Sequence, residues 1–318
     1  MWRQGARTAR CPDTPRLDGK LALVTGGASG IGFETSLGLA RRGASVIVLG
    51  RNRGAGEAVC ARIVDEVTGG GGGERGKPRG HAEFVRCDLS DLGSIRQAGA
   101  ELLDVIEDRE LDLAVFNAGV WPKAWSASAQ GHEMAFATNV LGHHALWRSL
   151  GSRLRVDARL VFVTGDLYIT ARECTPDFRF TGAGGGQAAY CRSKLGNVWQ
   201  ALETARRHPR YQVAIVHPGV ALTGLGGGAK GIAAWLGRRI LADVEAAAQT
   251  TLRAAVLPLS RSPVYLHNTL GELDLLHPSD PASDRAGAAR LWACLEGACD
   301  SAGIPPQGES AGEPVDEG

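Results

Sequence analysis

Thr25-Gly26-Gly27-Ala28-Ser29-Gly30-Ile31-Gly32 follows the apolar run Leu21-Ala22-Leu23-Val24 and leads into an amphipathic stretch ending near Arg42. The order is strand, glycine turn, helix start. Glycine is needed where backbone turns tightly and approaches a pyrophosphate, and the helix N-terminus behind it offers free N–H groups and partial positive charge. The loop therefore reads as a dinucleotide site. Its spacing, T-G-x-x-x-G-x-G, is one residue longer between the first two essential glycines than G-x-G-x-x-G.

Outward from this loop, short apolar β-type runs at 21–25, 45–49, 82–87, 111–116, 159–163, 212–216 and 263–267 alternate with longer amphipathic stretches. Continuous runs such as LALV and VIVL fit strands buried on both faces. The expected fold is α/β: a doubly wound, Rossmann-like parallel sheet in a single domain, 17–300, with helices on both faces. Residues 1–16, with four arginines against one acid, are expected to form a disordered arm with a faint likeness to a transit peptide. The glycine-rich 68–80 is expected to be a flexible insertion, and the Pro-, Gly- and acid-rich 301–318 a disordered tail.

With 318 residues, 44% of them hydrophobic, the chain can build a sizeable core. Thirty-five basic against 34 acidic side chains give a formal charge of +1, which argues against nucleic acid as partner. No apolar run reaches the ~20 residues of a membrane helix. Seven scattered cysteines, without a CxxC pair, read as reduced thiols rather than a disulfide framework or zinc site. A cytoplasmic location is expected.

The second strand ends Leu49-Gly50-Arg51. An acid there would accept from the ribose hydroxyls of NAD, whereas Gly50 offers nothing and Arg51 can pair with a 2′-phosphate, so NADP(H) is the expected cofactor. Cys87-Asp88-Leu89 closes the third strand and Asn117-Ala118-Gly119 the fourth, both on the edge where ligands bind. Tyr190-Cys191-Arg192-Ser193-Lys194 opens a helix, and its i, i+4 spacing puts Tyr190 and Lys194 on one face. A phenol beside an ammonium can become an acid/base catalyst, because the positive charge favours the phenolate.

In this order, TGGASGIG, CDL, NAG, YCRSK and His217-Pro218-Gly219 followed by Thr223 resemble the short-chain dehydrogenase/reductase superfamily. AFATNVLGHHAL around Asn139, AYCRSKLGN and the late Arg290-Leu291-Trp292 are similar to its retinol dehydrogenase and WW-domain oxidoreductase branch. The resemblance implies that Gly26, Ser29, Gly30 and Ile31 hold the pyrophosphate, Arg51 and Asn52 the 2′-phosphate, and Asp88 and Leu89 the adenine. It places Asn117, Ala118 and Gly119 beside the cofactor and Pro218, Gly219 and Thr223 around the nicotinamide amide. It makes Tyr190 the general acid/base, with Lys194 binding the nicotinamide ribose and lowering the Tyr190 pKa. It gives Asn139 the support of a water-linked proton relay.

One position departs from the pattern. The family's serine after the fifth strand, which donates to the substrate oxygen, aligns with Gly165 of Thr164-Gly165-Asp166. Thr164, Asp166 and Tyr168 are the candidate substitutes, Thr164 only if the strand end bends, since alternation points it away. The histidines His132, His143 and His144 read as structural or surface residues, and no metal site is indicated. The segment 226–248, a glycine hinge followed by an amphipathic helix, reads as a substrate lid, with a membrane-surface helix as its rival. Helices at 130–154 and 187–207 are candidates for pairing two subunits. The expected activity is NADP(H)-dependent interconversion of a lipophilic alcohol and its aldehyde or ketone. A cofactor-binding scaffold or redox sensor with little turnover is the alternative that Gly165 raises.

Overall fold

In the computed structural model, residues 9–69, 80–171, 185–219, 243–274 and 280–307 are described, the side chain of Ser152 excepted. Strands β1 (Leu21–Thr25), β2 (Ser45–Gly50), β3 (His81–Arg86), β4 (Leu111–Phe116), β5 (Leu154–Val163), β6 (Gln212–His217), β7 (Val264–His267) and β8 (Gly271–Leu273) form one sheet. Its order is β3-β2-β1-β4-β5-β6-β7-β8, parallel except for the β7–β8 pair. The strand sequence reverses between β1 and β4, which opens a ligand crevice at their C-terminal ends.

Alternation along each strand feeds two cores. Leu21, Leu23, Ile47, Leu49, Leu160 and Phe162 enter one, and Ala22, Val24, Val46, Val48, Val161 and Val163 enter the other. Helices α1 (Gly30–Arg41), α2 (Arg53–Gly69) and α7 (Val244–Val256) cover the second. The first is covered by α3 (Leu92–Ile106), α5 (Gly142–Leu150), α6 (Gly185–Arg207) and α8 (Arg285–Ser301). Asp91 caps α3 through Gly93 N, and Asp284 caps α8 through Gly287 N. A short α4 (Met134–Phe136) runs through a π-helical turn, Ala137–Leu141, into α5.

The doubly wound sheet thus follows the sequence expectation, with three local differences. β5 begins at Leu154, ahead of the expected 159, through the alternating and partly exposed LRVDA. β8 is too short to register as a sequence run. Tyr190 does not open its helix, because α6 is already helical at Gly185. The 68–80 insertion falls almost wholly outside the described residues, as does most of the 226–248 lid.

Both chain ends pack further than composition suggests. Cys11 is buried, its N–H donates to Gln249 Oε1, and the buried Arg42 guanidinium bonds the Cys11 and Pro12 carbonyls at 3.2 and 2.5 Å. At the other end, fully buried Arg148 bonds the carbonyls of Ile304 (2.7 Å) and Pro305 (3.0 Å) and pairs with Glu296 and Asp300. The expected arm is therefore docked from residue 11 and the expected tail through Ile304. A buried guanidinium needs acceptors for its N–H groups, and carbonyls near both chain ends supply part of them.

Helix α8 packs across α6, where every residue from Ser193 to Ala205 except Leu202 is buried. Trp199 Nε1 donates to Pro281 O, and Arg207 lies over the Trp292 ring at 5.1 Å. Much of α6, one of the two helices expected to be candidates for pairing subunits, is thus covered from within the chain.

Replacing Arg148 by Ala leaves the 304–305 carbonyls without its N–H groups and Glu296 with His144 alone. Urea unfolding is expected to show a loss of about 3 kcal/mol, with earlier proteolysis beyond residue 300.

Candidate active site

The turn after β1 lies at the crevice. Gly26 and Gly30 have φ of +64° and +54°, and a Cβ on Gly26 would sit 3.1 Å from Ala118 Cα. The first conformation disfavours any L side chain and the close approach leaves no room for one. Exposed Ser29 caps α1 with extended backbone while its hydroxyl makes no capping bond, and no acid lies in the first helical turn. Ile31 is half-buried in that turn. The helix N-terminus is therefore an uncompensated anion-binding end flanked by a free hydroxyl.

At the end of β2, Arg51 is exposed and makes no side-chain bond or ion pair among the described residues. Arg53 is engaged by Glu101 at 3.2 Å, and Asn52 Oδ1 accepts from Ala55 N, so Arg51 is the available cation there. Asp88 accepts from Ser90 N and Oγ, and Leu89 is buried below it. Asn117 Nδ2 donates to Thr25 O, and the N–H groups of Asn117 and Ala118 both donate to Thr25 Oγ1. Thr223 lies outside the described residues.

His143, which the sequence suggests is merely structural, joins this corner to the π-helical turn. Its Nδ1 is 2.9 Å from Asn139 O and its Nε2 is 2.9 Å from Thr25 Oγ1. A carbonyl only accepts, so Nδ1 carries the proton and Nε2 accepts the threonine hydroxyl. Burial holds this neutral ring down to a pKa of about 3. The residue was legible only as an i+4 neighbour of Asn139.

Tyr190, Lys194, Asn139 and Gly119 come together. A Cβ on Gly119 would lie 3.5 Å from both Lys194 Nζ and Asn139 Oδ1. The Tyr190 ring stacks on Trp121 with centroids 4.5 Å apart and 5° between planes, and Lys194 Nζ is 5.6 Å from the phenol centroid. Asn139 is fully buried. Its amide exchanges bonds with the Val120 backbone, and its Nδ2 also donates to Ser193 Oγ.

The expected lowering of the Tyr190 pKa by Lys194 is not what this geometry produces. Burial pushes the phenol up to about 12 and the ammonium down to about 8, and Lys194 Nζ spends a donor on Val163 O at 3.3 Å. Desolvation outweighs the mutual attraction of the charged forms.

Gly165 faces the phenol: its Cβ would lie 3.9 Å from the Tyr190 hydroxyl, with room to spare. None of the three candidate substitutes replaces a serine there. Thr164 Oγ1 donates to Lys194 O at 2.8 Å, and Tyr168 donates to Asp280 at 2.9 Å. Asp166 is clamped by Tyr265 Oη (3.1 Å) and His267 Nε2 (2.9 Å), with His217 Nε2 at 3.3 Å.

Asp166, His217 and His267 form the one candidate metal-binding group among the described residues. Their hydrogen bonds fix a different chemistry. His217 Nδ1 accepts from Asp166 N, and His267 Nδ1 accepts from Thr269 N and Leu270 N. Both neutral rings therefore carry their proton on Nε2, toward the carboxylate, where a metal would need a bare nitrogen. The cluster is a carboxylate held by the Tyr265 hydroxyl and His267 Nε2, with His217 beside it. Its third member, His267, lies 101 residues from Asp166 and had no sequence signal.

The cradle fits a dinucleotide phosphate: glycine backbone, free Ser29 hydroxyl, open helix N-terminus and unpaired Arg51 lie along one sheet edge. The family model for short chain dehydrogenases matches residues 20–165. Mouse retinol dehydrogenase 14 is 34% identical over 218 residues, 67% of this chain, and the match spans 65% of that protein, just under two thirds. Mouse retinol dehydrogenase 11 is 32% identical over 306 residues, covering 93% of this chain and 90% of that protein. Among solved structures, an uncharacterized protein from Mycobacterium paratuberculosis superposes with a TM-score of 0.72 at 27% identity, over 95% of this chain and 100% of that one. A short chain dehydrogenase from Burkholderia cenocepacia J2315 in complex with NADP superposes with a TM-score of 0.60 at 25% identity, over 80% and 97%.

The neutral state of His143 gives stability a pH dependence. Its folded pKa lies below the ordinary ~6.5, so the unfolded chain binds the extra proton. This contribution is complete above pH ~6.5 and falls by about 1.4 kcal/mol per unit as pH drops toward 3. Urea midpoints measured from pH 7 to 4.5 should decline, and His143→Gln should flatten the decline. An unchanged slope in the variant would contradict the assignment.

Proposed function

The chain belongs to the short-chain dehydrogenase family, and from that premise we propose that it is a cytoplasmic NADP(H)-dependent oxidoreductase interconverting a lipophilic alcohol and its aldehyde or ketone. The observation that carries the reading is the meeting of Tyr190, Lys194 and Asn139 beside Gly119, on the sheet edge that also holds the glycine turn. Arg51, unpaired where an acid would select NAD, supports NADP(H). The indole of Trp121 against Tyr190 supports an apolar substrate.

NADP(H), when bound, supplies or takes up the hydride. The chain's own residues manage the proton. Burial raises the Tyr190 phenol to about 12, and its hydroxyl carries the proton that a carbonyl oxygen would receive. Lys194 presents its ammonium from the same helix face, and Asn139 fixes the Val120 backbone beside it. The Asn139 carbonyl shares its acceptor capacity with His143, so any water bound there for a proton relay competes with or complements that bond.

A second reading rests on Gly165. With Thr164, Asp166 and Tyr168 all engaged elsewhere, the substrate oxygen receives one side-chain donor where the family pattern offers two. Loss of one such donor costs ~10²–10³ in rate, which favours a slow enzyme or a cofactor-binding scaffold.

The test is NADPH oxidation by purified protein against lipophilic aldehydes and ketones. Wild type should turn over slowly, Tyr190→Phe should remove the activity, and Gly165→Ser should raise kcat by about 10² or more, since the added side chain has space beside the phenol. A silent wild type beside an active Gly165→Ser would put the scaffold reading first.

A further inference from the structure

Neither conformation nor packing among the described residues requires a glycine at 165. Its φ and ψ are −166° and 145°, extended backbone that any residue adopts. A Cβ there would meet one described atom beyond its chain neighbours within 4 Å, the Tyr190 hydroxyl at 3.9 Å, which is ordinary van der Waals contact. The main chain around it is pinned: Thr164 N–H donates to Val216 O, Asp166 N–H to His217 Nδ1, and Gly165 O accepts from Tyr168 N. What the missing side chain decides is therefore the space in front of the phenol.

That space has a chemical demand. A carbonyl oxygen held by Tyr190 gains negative charge as it is reduced, and one fixed donor aimed at it is worth ~10²–10³ in rate. The hydroxyls of Thr164 and Tyr168 are spent on Lys194 O and Asp280. A substrate that fills the Gly165 space can bring the second donor itself. Ring size fixes where on the substrate that donor sits, because hydrogen bonds weaken steeply below ~120° at the hydrogen. A hydroxyl on the α carbon reaches its own carbonyl oxygen through a strongly bent five-membered ring, whereas one on the β carbon closes a six-membered ring with the hydrogen nearer the O···O line. The β carbon and its hydroxyl also match in size the CH2–OH that a serine would add.

We propose that the substrates are β-hydroxy aldehydes or ketones with an apolar chain, and that Gly165 is the specificity-determining residue that admits the β-hydroxyl beside Tyr190. The proposal rests on the NADP(H)-dependent oxidoreductase reading given above. In the reductive sense, hydride passes from NADPH to the carbonyl carbon. Tyr190 gives its proton to the carbonyl oxygen and recovers one from solvent, so the products are NADP+ and a 1,3-diol. The β-hydroxyl keeps its own proton and donates a hydrogen bond that strengthens as the oxygen becomes anionic. The Trp121 indole, stacked on the phenol, offers an apolar wall to the chain of the substrate.

The experiment compares kcat/KM with NADPH for four compounds in wild type and Gly165→Ser: 4-hydroxynonan-2-one, its O-methyl ether, which keeps the bulk without the donor, the α-hydroxy isomer 3-hydroxynonan-2-one, and plain nonan-2-one. NADPH binding by each protein is followed separately by calorimetry. Wild type should prefer the β-hydroxy ketone over the other three by about tenfold or more. Gly165→Ser should gain ~10² on nonan-2-one and lose the preference, because its own side chain takes the space and supplies the donor. A wild type that turns over the β-hydroxy ketone and its ether alike, or a Gly165→Ser variant that keeps the preference, overturns the proposal and leaves the oxidoreductase reading standing. A wild type that binds NADPH but reduces none of the four overturns the proposal in favour of the scaffold, and one that does not bind NADPH overturns the dinucleotide reading with it.

Discussion

The Thr25 hydroxyl is the point on which the site depends. It accepts the N–H groups of Asn117 and Ala118 and hydrogen-bonds to His143, tying β1 to the end of β4 where the strand sequence reverses. Without that oxygen, the Ala118 N–H at the crevice floor would lose its acceptor and the Asn117 N–H would keep only Val115 O. His143 carries the tie onward to Asn139 in the π-helical turn, and Asn139 holds Val120 beside Lys194. The end of β1 and the Val120 backbone are therefore joined by one chain of hydrogen bonds through three elements distant in sequence. Its weak point is titratable: a second proton on His143 removes the acceptor that Thr25 uses.

The same demand, that buried polar groups be paired, explains the docking of 11–12 and 304–305, which composition does not announce. Composition describes what a segment can bury by itself, and residues 9–16 and 301–307 bury little. Arg42 and Arg148 cannot be buried without acceptors, and the backbone carbonyls of those segments are the acceptors within reach. A carbonyl is present in every residue type, so no sequence pattern announces the docking. The central strands were legible for the opposite reason: runs such as LALV and VIVL must be buried on both faces. The alternating LRVDA start of β5 and the short β8 carry no such compulsion.

The site divides along similar lines. Tyr190 and Lys194 were legible because a helix fixes their relation locally, and Gly26 because the turn demands its φ of +64°. The Asp166 cluster was not, because His217 and His267 reach it from the ends of two other strands. The electrostatic expectation failed at a deeper level. Adjacency on one helix face predicts that Lys194 lowers the Tyr190 pKa, but burial acts on both groups and drives each toward its neutral form.

That failure bears on Gly165 as well. A protonated phenol can give its proton to a carbonyl oxygen, the proton step of the proposed reaction in its reductive sense. In reduction the oxygen gains negative charge, and every fixed donor aimed at it counts. The one serine position that could add such a donor is a glycine, and the hydroxyls of Thr164 and Tyr168 are committed to Lys194 O and Asp280. Asp166 is no substitute either: its carboxylate is an acceptor already engaged by the Tyr265 hydroxyl and His267 Nε2. In the proposed reaction the substrate oxygen would therefore have Tyr190 as its one side-chain donor, and turnover would rest on how firmly substrate and cofactor are held in register.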